Sequence, residues 1–230
     1  MVLGVVESVW RYPVKSTGGE PVDRVEVEER GLVGDRLWAV RDADGKFGSG
    51  KNSRRFRRMP GLLALRSRCA GDGVEVLDPD GSALSEDGLR AWLGRAEVAL
   101  VREGDVSHFD ELPVSVLSTA TLEWFGQALP GVPVDERRFR PNVVVRTPPG
   151  TPPFVEDAWL GRELAVGGVR LAVVRSSERC VMVNEEQPGL PRSSDVLRKI
   201  ADAHDNKLGV LARVLVPGGF AVGDEVALCT

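Results

Sequence analysis

Cysteine is scarce in this chain. Its 230 residues contain three, Cys69, Cys180 and Cys229, an odd number that cannot all pair internally, and no CxxC spacing occurs. That excludes a disulfide framework. No secretory signal opens the sequence and no run is long and apolar enough to span a bilayer. Excess charge is also missing: the formal net charge is −4, with 42% hydrophobic and 28% charged residues, which gives no general attraction to nucleic acid or membrane. Repeats and low-complexity tracts are absent, and the proline-rich stretch from Thr147 to Pro153 reads as a stiff loop. These absences predict a reduced, cytoplasmic globular protein without membrane or nucleic-acid partners, folded as one large domain or two small ones.

Short apolar runs divided by Gly, Pro and Asp turns are what the chain does have, and they predict an α+β, mainly β architecture. Strands are expected at Gly4–Trp10, Val22–Glu28, Leu37–Arg41, Leu62–Arg66, Val74–Leu77, Val98–Val101, Val114–Leu117, Val143–Arg146, Glu163–Val166, Val169–Arg175, Val181–Asn184, Leu211–Val216 and Glu225–Leu228. Helical spacing fits Asp87–Leu93, Thr119–Leu129 and Ser193–His204, the last capped by Ser193 or Ser194. Such a pattern suggests linked β-barrels or sandwiches. The polar Arg102-Glu103-Gly104-Asp105 stretch is the best internal boundary, dividing the chain into 1–103 and 104–230.

Four segments carry chemistry. Cys180 follows Arg179 after an apolar run, and a cation beside a thiol favours the thiolate, the form that binds a soft metal; an equally ordinary fate for a lone cysteine is burial in a core. Tyr12-Pro13-Val14-Lys15-Ser16 ends the opening strand, because proline lacks a ladder donor, and a turn there lets an ammonium, a hydroxyl and free backbone N–H groups converge on a phosphate. Asp35 and Arg36 follow Gly34 at the mouth of another strand. Arg140 precedes Pro141, which favours an extended backbone, so Arg140 and Asn142 should share a face and hold an anion beside a heterocycle edge. Between these lies an acid-free basic stretch from Lys46 to Arg58. With only Phe47 and Phe56 as aromatics inside it, it reads as a solvated loop or an electrostatic collar around an anionic ligand rather than a nucleic-acid surface.

Taken in order, Tyr12-Pro13-Val14-Lys15-Ser16, Gly34-Asp35-Arg36-Leu37-Trp38, Phe139-Arg140-Pro141-Asn142, Glu156-Asp157-Ala158-Trp159, Arg179-Cys180 and Gly223-Asp224 resemble the MOSC family, in the branch that carries an N-terminal β-barrel domain. The resemblance implies an N-terminal β-barrel-like domain packed on a MOSC β-barrel domain with a few peripheral helices. It also implies a molybdenum cofactor, a metal held by a pterin dithiolene with a phosphate tail. Family members include the mitochondrial amidoxime-reducing component and bacterial counterparts that reduce N-hydroxylated compounds. Carried over by motif, Cys180 would be the metal's thiolate ligand, Lys15, Ser16 and Arg36 would hold the phosphate, and Arg140 and Asn142 the pterin. Arg179 would lie beside the metal, and Asp110 is the one retained candidate of a hydroxyl-rich family segment.

The sequence departs from those relatives at Glu178, where they have Ser, and at Leu211, where they have Tyr. Neighbours on a strand point apart, so if both Arg179 and Cys180 are to touch one ligand the chain must bend there or Arg179 must act through its backbone. The expected activity is a molybdenum-dependent reduction of small N-oxygenated substrates, with His108, Asp110 and Glu178 as proton-donor candidates. No cysteine set for an iron–sulfur cluster follows the last strand, so electrons are expected from a separate ferredoxin-, cytochrome- or flavin-reductase-like protein. The alternative is a molybdenum-cofactor carrier or a sulfur-transfer protein working through a Cys180 persulfide.

Overall fold

The computed structural model describes residues 1–229. Strands run in the order β1 (Val2–Arg11), β2 (Glu20–Pro21), β3 (Arg24–Glu28), β4 (Gly31–Leu32), β5 (Trp38–Asp42), β6 (Phe47–Ser49), β7 (Phe56–Arg58), β8 (Arg66–Ala70) and β9 (Gly73–Leu77). Helix α1 (Glu86–Leu93), β10 (Val98–Arg102), β11 (Val114–Ser118), α2 (Thr119–Ala128), β12 (Val143–Arg146), β13 (Glu163–Val166) and β14 (Val169–Glu178) follow. Helix α3 (Asp195–His204), β15 (Lys207–Val216), β16 (Gly218–Ala221) and β17 (Glu225–Leu228) complete the fold.

Seven strands close a barrel in the order β12-β11-β15-β14-β13-β17-β1, with β1 returning to pair with β12. Closure leaves no open edge. Alternation along the strands fills the interior: Val169, Leu171 and Val173 of β14 point inward to pack with Val6, Val145, Trp159, Val210 and Phe220. Because β1 is bonded on both edges, it must bend, and its register shifts against β12 between Val6 and Ser8 and against β17 between Val2 and Gly4. At Gly4 a Cβ would lie 2.1 Å from the Arg146 carbonyl oxygen, so only glycine fits that bend.

A second lobe carries the sheet β10-β5-β6-β7, the β8–β9 hairpin and α1 around Val14, Val40, Met59, Leu62, Leu65 and Val98. Strand pairing crosses residue 103 in two places, since β1 belongs to the barrel and β3 pairs with β16. A third cluster, including Leu117, Phe125, Phe139, Val183 and Ile200, packs α2 and α3 against the barrel.

The mainly β, barrel-based reading holds, and all three helices form. Two expected strands do not. Leu62–Ala64 is a 3₁₀ turn entered at Gly61, whose φ of 87° breaks the extended backbone, and the strand begins only at Arg66. Val181–Asn184 is also a 3₁₀ turn. There the Asn184 Oδ1 accepts the Leu197 N–H at 2.9 Å and its carbonyl accepts the Ser193 N–H at 3.0 Å, so the segment is tied to the start of α3 and not to a sheet. Of the two serines expected to cap α3, Ser194 makes no side-chain cap bond, Ser193 Oγ accepts the Asp195 N–H at 3.3 Å, and Asn184 adds the bond to Leu197. No helix among the described residues is long and apolar enough to cross a membrane.

Candidate functional site

A cavity of about 490 Å³ lies where the second lobe meets the barrel, within the range of small-ligand sites. Lys15, Ser16, Arg36, Asp110, Arg140, Asn142, Arg179 and Cys180, scattered over the sequence, all line it. Its wall carries seven cationic side chains against three carboxylates in a chain of net charge −4. That imbalance suits an anionic ligand.

At one part of the wall two turns are bonded together. Proline at position 13 and the left-handed Ser16, with φ of 64°, turn the chain after β1. The Arg36 N–H donates to the Tyr12 carbonyl at 2.8 Å, and the Tyr12 N–H donates to the buried Asp35 carboxylate at 2.7 Å. Asp35 also accepts from the Arg36 guanidinium. Arg36 and Arg140 then both stack on the single tyrosine of the chain, with Cζ 4.7 and 4.2 Å from the Tyr12 ring centroid. Burial and the neighbouring Arg36 lower the Arg140 pKa to about 10, so it stays cationic at neutral pH. Arg140 does not take the extended backbone expected before proline, because its φ is 52°. Its guanidinium reaches the cavity and donates to the Thr17 carbonyl. The Asn142 carboxamide is taken up by Ser115, Trp10 and Arg36, so it braces the wall from behind.

Lys15 is buried, and its ammonium donates to the His108 carbonyl at 2.8 Å and to Asp110. His108 itself does not line the cavity; its ring Nδ1 faces the Arg36 carbonyl at 3.2 Å and its face meets Phe47 edge-on at 4.9 Å. Burial lowers the His108 pKa, and its place is behind the wall, not at a reacting atom.

At Arg179-Cys180 the chain does bend. β14 ends at Glu178, and Cys180 opens the 3₁₀ turn, so both residues face the cavity. The Arg179 guanidinium is buried and donates to the Leu208 and Phe139 carbonyls, the latter at 2.8 Å. Burial holds its pKa at about 10. Arg138, also buried, donates to the carbonyls of Val183 and Pro191 at 3.4 and 2.8 Å, fixing the same turn from its other side. Cys180 is thus presented to the cavity on a braced turn, partly exposed.

A family model described as the MOSC domain matches residues 103–227, more than half of the chain. The chain belongs to the MOSC family. A second model, the MOSC N-terminal beta barrel domain, matches residues 3–111. Human mitochondrial amidoxime-reducing component 1 is 24% identical over 98% of this chain and 83% of its own length. The bovine mitochondrial amidoxime reducing component 2 is 27% identical over 78% and 66%. Rice molybdenum cofactor sulfurase is 27% identical over 53% of this chain but only 14% of its own length. Among solved structures, the YUAD protein of Bacillus subtilis covers 98% of this chain and 94% of its own at a TM-score of 0.50 and 14% identity, a likeness of fold alone.

Against the MOSC resemblance, Leu211 lines the cavity as an apolar residue, and Glu178 sits at the exposed rim with Arg175 3.5 Å away. Sequence reading missed Tyr12 as the platform for two guanidinium groups, and Met182, Ser115 and Arg138 as wall residues. It touched Lys51 and Arg55 only as part of a collar. Their signal was the acid-free basic run itself, which is no solvated loop: β6 and β7 pair in parallel, Phe47 and Phe56 are buried, and the two cations face the cavity.

One pH dependence follows from the wall. Burial, opposed by Asp110, lowers the Lys15 pKa to about 8. Raising the pH through about 8 therefore removes a charge from the anion site, and affinity for a phosphate ester should fall. Folding stability runs the other way: between about 8 and the usual lysine value of 10.5 the unfolded chain holds the extra proton, so the cost of burying the ammonium is relieved as pH rises. Calorimetric titration with pyrophosphate at pH 6.5 and 9.5 should show the loss, roughly tenfold or more for one charge-assisted bond. Lys15→Met should flatten it.

Proposed function

We propose that this MOSC protein is a molybdenum-cofactor-dependent oxidoreductase that reduces small N-hydroxylated compounds with electrons from a separate redox partner. The observation that carries the reading is the convergence, in one cavity, of a mounted cysteine sulfur with Lys15, Arg36 and Arg140. The donor set fits the cofactor. A thiolate is a soft ligand suited to the metal, and a phosphate ester brings about −1.5 to −2 charges, which the cationic wall would balance. The names of the amidoxime-reducing and cofactor-sulfurase relatives agree with it.

When bound, the cofactor would supply the two-electron redox chemistry. The protein's own residues do the rest. Cys180 would hold the metal at a fixed point on the turn, while Arg138 and Arg179 keep that turn from moving. Lys15, Ser16 and Arg36 would hold the phosphate, and Arg140 the pterin, with Asn142 and Asp35 keeping the two guanidinium groups apart and oriented. Reduction of an amidoxime consumes two electrons and two protons, breaks the N–O bond, and releases an amidine and water. Asp110 is committed to Lys15, which lowers its pKa against the effect of burial and makes it a poor acid. Glu178, at the open rim, is the better-placed relay from solvent among the three proton-donor candidates.

Purified protein should contain molybdenum and yield a fluorescent pterin on oxidation. It should reduce benzamidoxime with a chemical reductant or a ferredoxin-, cytochrome- or flavin-type partner reductase, and not with NADH alone. A carrier of the same cofactor would instead hand it to an apo-enzyme during incubation, while a reductase keeps it through many turnovers. Transfer without turnover would overturn the proposal.

A further inference from the structure

Lys51 is the one cavity-lining cation that neither pairs with a carboxylate nor donates to a backbone carbonyl among the described residues. Lys15 is paired with Asp110, Arg36 with Asp35, and Arg55, Arg138, Arg140 and Arg179 donate to carbonyl oxygens. Two other cations of the basic ribbon pair with carboxylates, Arg57 with Asp42 at 2.9 Å and Arg58 with Glu185 at 3.7 Å. The polar atom that Lys51 Nζ does meet is the Cys180 sulfur, 3.8 Å away.

This placement is built into the fold. The Gly50 N–H donates to the Met182 sulfur at 3.0 Å, and Ser49 Oγ lies 3.8 Å from the same atom. Met182 stands two residues beyond Cys180 on the same 3₁₀ turn. A Cβ at Gly50 would come within 2.4 Å of that sulfur, so a larger residue there would push the Met182 side chain aside. On its other side the ammonium lies 5.2 Å from the Phe56 ring centroid. The ribbon therefore carries an ammonium from the second lobe to the cysteine and holds it there, half-buried.

We propose that Lys51 is a specificity-determining residue, and that the site prefers N-oxygenated substrates bearing a carboxylate or another anionic group, which Lys51 binds next to Cys180. This rests on the oxidoreductase reading above. A half-desolvated ammonium bonded to no carboxylate, with Asp110 near enough only to feel its charge, gains from an anionic ligand, and a wall already rich in cations penalises a positively charged one. Neutral substrates gain nothing from it. Lys51 is not needed for the phosphate end of the cofactor, which Lys15, Ser16 and Arg36 would hold.

The test compares two probes of one shape, benzamidoxime and 4-carboxybenzamidoxime. Their dissociation constants are measured calorimetrically with the protein as purified and no reductant, and their kcat/KM with a chemical reductant. Wild type should bind the carboxylated probe about tenfold more tightly, equivalent to about 1.4 kcal/mol, and the preference should shrink with added salt. Lys51→Arg should keep most of it. Lys51→Met should bind both probes equally, with wild-type molybdenum content and melting temperature. Equal binding by wild type, a preference that persists in Lys51→Met, or a loss that merely follows loss of molybdenum would each overturn the inference. If wild type turned over neither probe, the oxidoreductase reading would fail by itself, and the binding ratio would still decide the role of Lys51.

Discussion

Cys180→Ala is expected to leave the fold intact and the protein nearly free of molybdenum. The side chain is partly exposed at the head of a turn and lines the cavity, so its removal opens no void in the apolar core. Arg138 and Arg179 hold the turn through carbonyls that the substitution does not touch. The melting temperature should stay within roughly 2–4 °C, the shift produced by about 1 kcal/mol in a chain of this size. Metal retention is another matter. Residues that only support a ligand from behind are worth roughly 10–100-fold in metal affinity, and the ligand itself should exceed that. Reduction of benzamidoxime should fall with metal content, and the sulfur-to-metal absorption should vanish. Cys180→Ser offers a hard oxygen in nearly the same place and should recover the shape of the turn but not the metal. Wild-type molybdenum content in both variants would show that this sulfur is not the ligand. Cys69 and Cys229 are internal controls, since both are free thiols and neither lines the cavity.

The barrel was legible because its strands alternate or run apolar between turns. Val143–Arg146, Glu163–Val166 and Glu225–Leu228 match the expected limits. Strand ends were less so. β15 begins at Lys207, four residues before the expected Leu211, because Gly209 at φ 73° interrupts the apolar run, while the pairing with β14 continues past it through a register shift. The two failed strands share a cause. In Leu62–Ala64 and Val181–Asn184 the buried residues pack against a second lobe and a helix, and tertiary contacts replaced the ladder that local composition suggested.

The site was legible residue by residue but not in how its parts work. Lys15 and Ser16 lie on the turn that Pro13 predicts. Arg140 reached the cavity for a reason opposite to the one expected: a left-handed backbone, held by the Arg140 N–H donating to the Glu136 carbonyl at 3.1 Å, turns its side chain onto Tyr12. Nothing in a linear pattern announces that a tyrosine near the N-terminus will face two arginines more than a hundred residues apart. Such a cluster arises only when β1 and β12 pair.

Asp35→Ala should be the most damaging single change in that cluster. The Asp35 side chain is fully buried, accepts the Tyr12 N–H at 2.7 Å, and is the carboxylate that faces Arg36 beside Arg140. Without it a buried N–H loses its acceptor, and two guanidinium groups share one ring with no carboxylate bonded to either, Asp110 acting only from a distance. Breaking one side of a buried ion pair costs about 3–5 kcal/mol, which in a chain of this size lowers the melting temperature by roughly 6–20 °C. Asp35→Asn keeps an acceptor for Tyr12 and removes only the charge, so it should fall about midway. The same reasoning predicts a rescue. Pyrophosphate in the cavity would restore a negative charge to Arg36 and Arg140, so it should raise the melting temperature of Asp35→Ala by more degrees than that of wild type, with a concentration dependence set by its binding. Scanning calorimetry with and without pyrophosphate measures both effects. A variant as stable as wild type, or one that pyrophosphate stabilises no more than wild type, would mean that Asp35 does not supply the charge balance on which the anion site depends.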